Sequence, residues 1–417
     1  MTAASLSGRR LSALIVNHNS GAWTQRCAES LQTTWAAEGG QAKDLEIIVL
    51  DSGSELGEST WWRTLRRAGV RVRTSPANVG YATGLNMAYE LSSGAAEDTV
   101  ALLNPDLHFL QGSIGPLLKH LEEYADTGAV QPRIYLDEDL QVLLPPNELP
   151  SPLTELADVL ATHFPGIARW RADRKSREAQ AFWSTQECES REMLSGACLF
   201  MRRSTIDQLG QVMDGRFPLY FEDADLCRQL KEAGYDLVVE PASEILHHWS
   251  RSAGPDFVGE VAARHAYGRS LYMAKHHRGV GALLIQACAR FLASWRPQRA
   301  PLPMHSLLDF GDVHQSPEFP LPADTECSLE ISLTPFWGLS AGTMLDGGSF
   351  HYSAKAWSWL FPGTYYVRGV ERSSGQLLGA WRFHKTSPAR SWPLDPQAGQ
   401  QPGRSTWRES FPGERVG

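Results

Sequence analysis

The chain has 417 residues, 42% hydrophobic and 21% charged, which is ordinary globular usage; at roughly 100–200 residues per domain the length calls for more than one domain. A formal net charge of -8 excludes a general electrostatic case for nucleic-acid binding. Six scattered Cys without a C-x-x-C pair argue against a zinc knuckle or disulfide framework and suit a reducing, cytoplasmic setting.

Residues 1–10 lack the charged start and apolar run of a secretory signal, and no window reaches about 18 apolar residues. Residues 11–16 form a short apolar run ending in Asn17-His18-Asn19-Ser20-Gly21, and 23–35 have helical spacing, which reads as strand then helix. Residues 45–50 (LEIIVL) are a continuous apolar run, as in a strand covered on both faces, and stop at Asp51-Ser52-Gly53-Ser54. A helix is expected over 58–68, a strand over 70–73, a turn at Asn78-Val79-Gly80, a helix over 83–92 and a fourth strand over 99–103, ending at Asn104-Pro105-Asp106. Strands alternating with helices imply an α/β fold with a mainly parallel, doubly wound sheet.

Residues 141–187 lack a clear period, with a Pro-rich stretch at 145–152 and a basic helical segment at 169–177, and read as a lid or an acceptor-side insertion. Regular structure is expected again from 193–201, then a helix capped by Gly234, a short strand at 237–239, and helices over 261–277 and 282–295. The apolar segment 280–295 is broken by Gln286 and Arg290, too short to span a bilayer and suited to a buried or membrane-surface helix. Seven of the fourteen Trp lie from Trp295 onward. That region has aromatic and β-branched runs at 327–333, 348–352, 363–370 and 377–383, separated by Gly, the pattern of a small all-β, sandwich-like domain. From 386 the Pro, Gly, Arg and Ser content reads as a loosely ordered tail.

In a doubly wound sheet the ligand lies beyond the carboxyl ends of the strands. Asn17, Asp51, Asn78 and Asp106 each follow an expected strand, so four polar clusters share one rim. No G-x-G-x-x-G follows the first strand and no G-x-x-x-x-G-K-[ST] occurs, so dinucleotide and P-loop readings lack their phosphate loops. Seven ordered segments, LSALIVNHNS (11–20), IIVLDSGS (47–54), ANVGYATGLN (77–86), LLNPDL (102–107), SGACLFMRR (195–203), YFEDADLCR (220–228) and HH (247–248), resemble the family-2 glycosyltransferases of the rhamnosyltransferase-like branch. The resemblance covers about residues 10–290. It implies a GT-A fold, a nucleotide-sugar donor, a divalent cation (Mn2+ or Mg2+) and inversion at the anomeric carbon.

Carried onto this chain, the resemblance puts Asn17 and Asp51 beside the base or ribose, and Asn78, Gly80 and Asn86 near the ribose or diphosphate. Asn104-Pro105-Asp106 takes the place of the family's D-x-D, Asp106 holding the metal and Asn104 touching ribose or a metal-bound water. Asp223 matches the catalytic base, with Glu222 as its neighbour or an acceptor ligand. His247 or His248 matches a metal-binding His; adjacent residues on an extended chain face opposite ways, so one of them coordinates, His247 being preferred. The plainer readings stay open: Asx turn caps for Asp51 and Asn78, and a helix N-terminus whose dipole favours Glu222, Asp223 and Asp225.

The expected organisation is a GT-A domain over 1–254, a helical, membrane-proximal extension over 255–300, an all-β accessory domain over 301–385 and a tail over 386–417. The expected activity is metal-dependent, inverting transfer of a sugar such as rhamnose or another deoxyhexose from a dTDP- or UDP-sugar to a glycan or lipid-linked saccharide in surface-polysaccharide assembly, at the inner face of the membrane. A non-catalytic carbohydrate-binding protein is the alternative, its aromatics (Trp337, Trp357, Trp359, Tyr365, Tyr366) alternating at strand spacing to stack on sugars, unless they are a core. A third reading makes the β-domain an oligomerisation module, and a homodimer is left open.

Overall fold

A computed structural model of the chain describes residues 6–55, 59–248, 257–294 and 306–388. The sequence from 389 to 417, most of the expected tail, lies outside the described residues, as does Trp295.

The first half alternates as expected: β1 (Leu11–Asn17), α1 (Gly21–Ala37), β2 (Leu45–Ser52), α2 (Ser59–Arg67), β3 (Arg71–Ser75), α3 (Tyr81–Leu91) and β4 (Thr99–Leu103). β1 pairs in parallel with both β2 and β4, and β2 with β3. Every residue of β1 and β4 is buried, which is why these strands read as largely apolar runs. Then follow β5 (Leu107–Phe109), α4 (Gly115–Glu123), β6 (Thr127–Tyr135), α5 (Pro152–His163), α6 (Pro165–Ser184), β7 (Glu189–Arg191), β8 (Cys198–Arg202), α7 (Arg203–Leu209), α8 (Glu222–Glu232) and β9 (Asp236–His247). The sheet runs β3-β2-β1-β4-β8-β6-β9-β5, with β7 on β9. It is parallel through its first four strands. Beyond them it is mixed, since β8 is antiparallel to β4 and β6, and β5 antiparallel to β9, while β6 and β9 are parallel.

The segment expected to be irregular holds two helices, α5 and α6. Ser151 caps α5 with a reciprocal Ser151–Thr154 capping box ahead of Pro152, a start signal that the surrounding prolines mask. The three-residue strand expected at 237–239 is the start of the twelve-residue β9.

α9 (Phe257–His276) and α10 (Val280–Ser294) lead to a five-stranded sheet of β10 (Leu308–Val313), β11 (Cys327–Ser332), β12 (Ala341–Leu345), β13 (Gly363–Glu371) and β14 (Leu377–Lys385), with α11 (Ala354–Trp359) between β12 and β13. Its order is β10-β14-β13-β11-β12. One sheet, rather than two facing sheets, makes up this region. One side carries a core of Phe319, Leu329, Tyr352, Trp357, Tyr365, Trp381 and Phe383. On the other, α6 is joined to it by buried polar contacts: Gln180 Nε2 donates to Ser328 Oγ (2.7 Å), Ser176 Oγ to Glu330, and Arg368 Nη2 to the Ala172 carbonyl (3.0 Å). Residues 357–359, expected on a strand, end α11, and 348–352 contributes only an isolated bridge between Phe319 and Phe350.

Candidate active site

The rim is built from strand ends. β1 and β2 end in register, Asn17 opposite Asp51. Asn17 is fully buried; its Nδ2 donates to Asp51 Oδ1 (3.1 Å) and Ser54 Oγ (3.0 Å), and its Oδ1 accepts from Ser20 Oγ (2.9 Å) and Thr24 Oγ1 (2.7 Å). A side-chain amide has two donors and two acceptor sites, so Asn17 has no capacity left for a ligand. This corrects its expected contact with the base: Asn17 ties the rim together from below. Asn86 is held by three protein bonds, donating to the Met213 carbonyl (2.7 Å) and accepting from Val212 N (2.8 Å) and Met213 N (3.2 Å); it lines neither cavity and fastens α3 to the chain leading to the acid pair.

Ser52, His18, Asn78 and Gly80 do line the cavity above this rim. Asn78 Oδ1 accepts from Ser52 Oγ and Gly80 N, both at 3.0 Å. Gly80 has φ 81°, and a Cβ there would lie 2.7 Å from the Pro218 carbonyl oxygen, so backbone sign and space both require glycine.

Asp106 and His247 meet at the opposite wall. Pairing of β5 with β9 sets Leu107 against His247, and His248 N donates to the Asp106 carbonyl at 2.9 Å. Asp106 Oδ1 is 3.2 Å from His247 Nε2, yet is buried and receives no aligned hydrogen bond. Asn104 Nδ2 is 3.5 Å from the same Nε2. Two ligand atoms about 2.1 Å from an octahedral cation stand about 3 Å apart, so a buried carboxylate oxygen facing an imidazole nitrogen at this separation fits a hard divalent cation. His248 points away and packs on Trp23, ring centroids 5.1 Å apart; burial lowers its pKa to about 3.

The acid pair opens α8. Tyr220 and Phe221 both have positive φ, 73° and 69°, an unusual conformation for aromatic residues; it turns the chain sharply so that α8 begins inside the site. Asp223 Oδ2 accepts from Gly196 N (3.2 Å) and Oδ1 from Ala224 N (2.8 Å). Gly196 is needed there, since a Cβ would lie 2.7 Å from Asp223 Cβ. Glu222 is buried and its Oε2 has no hydrogen-bond partner. Burial raises both pKa values, and the Asp223 charge raises Glu222 further. Two backbone donors favour the ionised form of Asp223, so of the pair Asp223 is the one more readily ionised.

Asp225 has a firmer role than a dipole contact. Fully buried, it accepts from Lys275 Nζ (2.8 Å) and lies 2.6 Å from His276 Nε2, clamping the end of α9 onto α8. α9 also comes close at Gly268, where a Cβ would lie 2.6 Å from the Tyr220 carbonyl oxygen. The helix thus brings Arg264 to the cavity wall. No motif points to Arg264; His18 and Ser195, which also line the cavity, lie inside two of the motif segments but have no expected role there.

Two cavities meet at the acid pair. One of about 330 Å³ is lined by Asn78, Gly80, Asn104, Asp106, Glu222, Asp223, His247 and Arg264. The other, of about 470 Å³, runs between α5, α6, α9 and the Trp337–Ser340 loop of the second sheet. Tyr220 and Asp223 line both. Asp51 sits at the rim, buried, but lines neither.

This chain belongs to the family-2 glycosyltransferases, on their rhamnosyltransferase-like side. The family model for glycosyl transferase family 2 matches residues 12–176. Over 250 residues the chain is 31% identical to the N-acetylglucosaminyl-diphospho-decaprenol L-rhamnosyltransferase of Mycobacterium tuberculosis, spanning 57% of this chain and 77% of that protein. Among solved structures, the mannosyltransferase PcManGT of Pyrobaculum calidifontis with GDP-Man and Mn2+ is 15% identical with a TM-score of 0.39, over 71% of this chain and 84% of that one. GalNAc-T7 with UDP, GalNAc and Mn2+ is 12% identical with a TM-score of 0.41, over 90% and 72%.

Proposed function

We propose that the protein transfers a deoxyhexose such as rhamnose, with inversion, from a dTDP- or UDP-sugar to a hydroxyl of a lipid-linked saccharide. The observation that carries this reading is the sharing of Asp223 between the two cavities. The donor would occupy the smaller one, its nucleoside toward Ser52 and Asn78 and its diphosphate toward Asp106, His247 and Arg264. The acceptor would enter the larger one. Asp223 would remove the acceptor hydroxyl proton as that oxygen attacks the anomeric carbon opposite the departing diphosphate. Protonated Glu222 keeps a second negative charge away from that base. Asp106 and His247 would hold Mn2+ or Mg2+, whose charge neutralises the diphosphate as it leaves.

The domain division expected above is kept as part of the proposal, with α9 belonging functionally to the catalytic unit through Asp225 and Gly268. Among the described residues no helix is long and apolar enough to cross a membrane. Val280, Leu283, Leu284 and Phe291 on α10 and Leu153 on α5 are at least half exposed, which supports contact with a membrane surface; the cytoplasmic face is the working location proposed. The relative from M. tuberculosis is named for a diphospho-decaprenol acceptor, and that supports an acceptor of the same class.

The test is transfer by the purified full chain, with manganese, from a panel of nucleotide sugars to a polyprenyl-diphosphate-linked N-acetylglucosamine. Turnover with a dTDP- or UDP-deoxyhexose is the expected result. The absence of both turnover and any nucleotide-dependent thermal shift across the panel overturns the proposal.

A further inference from the structure

We infer that His120, Cys188 and Glu240 form a second cation site, for a thiophilic divalent ion of the zinc type, apart from the donor cavity. The three residues come from α4, the turn before β7 and β9, and neither cavity includes them. Cys188 Sγ lies 3.6 Å from His120 Nδ1 and 2.9 Å from Glu240 Oε2, and Nδ1 lies 3.8 Å from Oε2. Zn2+ takes sulfur at about 2.3 Å and nitrogen or oxygen at about 2.0–2.2 Å, so adjacent ligand atoms of a tetrahedral site stand about 3.4–3.6 Å apart. The three separations bracket that range, and the short one is a thiol-to-carboxylate hydrogen bond that opens when the thiol proton leaves.

The imidazole is already oriented for this task. His120 is buried, its ring stacks on Tyr124 with centroids 4.6 Å apart, and its Nε2 is 3.1 Å from Thr127 Oγ1. With the proton on Nε2, that nitrogen donates to Thr127 and Nδ1 turns its lone pair toward the thiol, the arrangement by which outer partners fix a metal-binding His. Cys188 is exposed, which provides an entry path and leaves a fourth position for water. On binding, Cys188 loses its proton to solvent and the thiolate, the imidazole nitrogen and the carboxylate each donate an electron pair to the ion. The ion would then join the chain just beyond α6 to the central sheet. α6 is the helix whose Ser176 and Gln180 bind the second sheet.

The test uses the full chain stripped of metal and titrated with Co2+, whose thiolate complexes give an intense near-ultraviolet charge-transfer band that oxygen and imidazole ligands do not. The expected result is one equivalent of Co2+ bound with that band, displaced by Zn2+, and a Zn2+-dependent rise in Tm. Cys188→Ser and His120→Gln should each lose the band, while Cys288→Ser, at the other exposed thiol, keeps it. Because Cys188 is exposed, its variant folds, which circular dichroism would verify. No band in the wild-type chain, or a band that survives Cys188→Ser, overturns the site.

Discussion

At the residue scale the chemistry rests on two neighbouring carboxyls held in different states. Asp223 receives two backbone N–H groups and Glu222 Oε2 receives none, so burial favours the proton on the second more than on the first. Asp223→Asn should lower kcat by at least about 10²-fold, the lower end for a lost general base, with nucleotide affinity by calorimetry nearly unchanged; transfer at the wild-type rate would place the base elsewhere. Glu222 also has a signature in stability. Its pKa is raised on folding, so its favourable contribution is complete below the ordinary carboxylate value of about 4.3 and fades as pH rises through the folded-state value. In a series of thermal melts the wild type should lose Tm toward alkaline pH more steeply than Glu222→Gln, the two curves converging in acid. Parallel curves would mean that Glu222 ionises normally.

At the element scale, function depends on close approach of backbones. The turn ending β8's approach meets the start of α8 at Gly196, with no room for a methyl group beside Asp223. Gly196→Ala should therefore displace the carboxylate by a few tenths of an ångström and cut kcat more than tenfold, because misplacement on that scale is costly at a reacting centre, while a melt shows the fold intact; unchanged kcat would show that Asp223 tolerates the shift. The elements themselves were unevenly legible. β1, β2 and β4 are legible because burial on both faces leaves mostly apolar residues in their central stretches. The expectation for β9 stops at 237–239 because its register shifts at Glu240–Glu244 break the apolar pattern, and α11 reads as strand because Trp357 and Trp359 stand two residues apart, the spacing of a strand face. The residues that a motif carries, Asp106, Asp223 and His247 among them, come together around the smaller cavity. Asn17 and Asn86 differ from expectation for another reason: sequence shows that an amide is present, but not that four protein groups already engage Asn17 and three engage Asn86. Arg264 reaches the cavity through the packing of α9, which no local pattern encodes.

At the scale of the whole molecule, the Trp-rich C-terminal region is a wall of the site. Trp357 and Trp381 fill its core, and Trp337 is buried beneath Arg368, whose Cζ is 5.1 Å from the ring centroid; that leaves these rings unable to stack on a sugar. Arg368 is in turn paired with Glu330 at 2.8 Å, both buried, and donates to α6. A buried pair of this kind adds little net stability but is costly to break, about 3–5 kcal/mol when one partner is removed, so it holds the sheet in one position against the catalytic unit. The loop after Trp337 thereby reaches the larger cavity, where Gly338, Leu339 and Ser340 face the cleft that Asp223 closes at its far side. Leu339 is 60% exposed, so enlarging it disturbs no core. Leu339→Trp should narrow the cleft without touching the donor cavity. Acceptor KM is expected to rise several-fold while donor hydrolysis in the absence of acceptor keeps its rate. If both reactions change together, the loop acts through the fold rather than on the acceptor, and if neither changes, the acceptor does not pass along this wall.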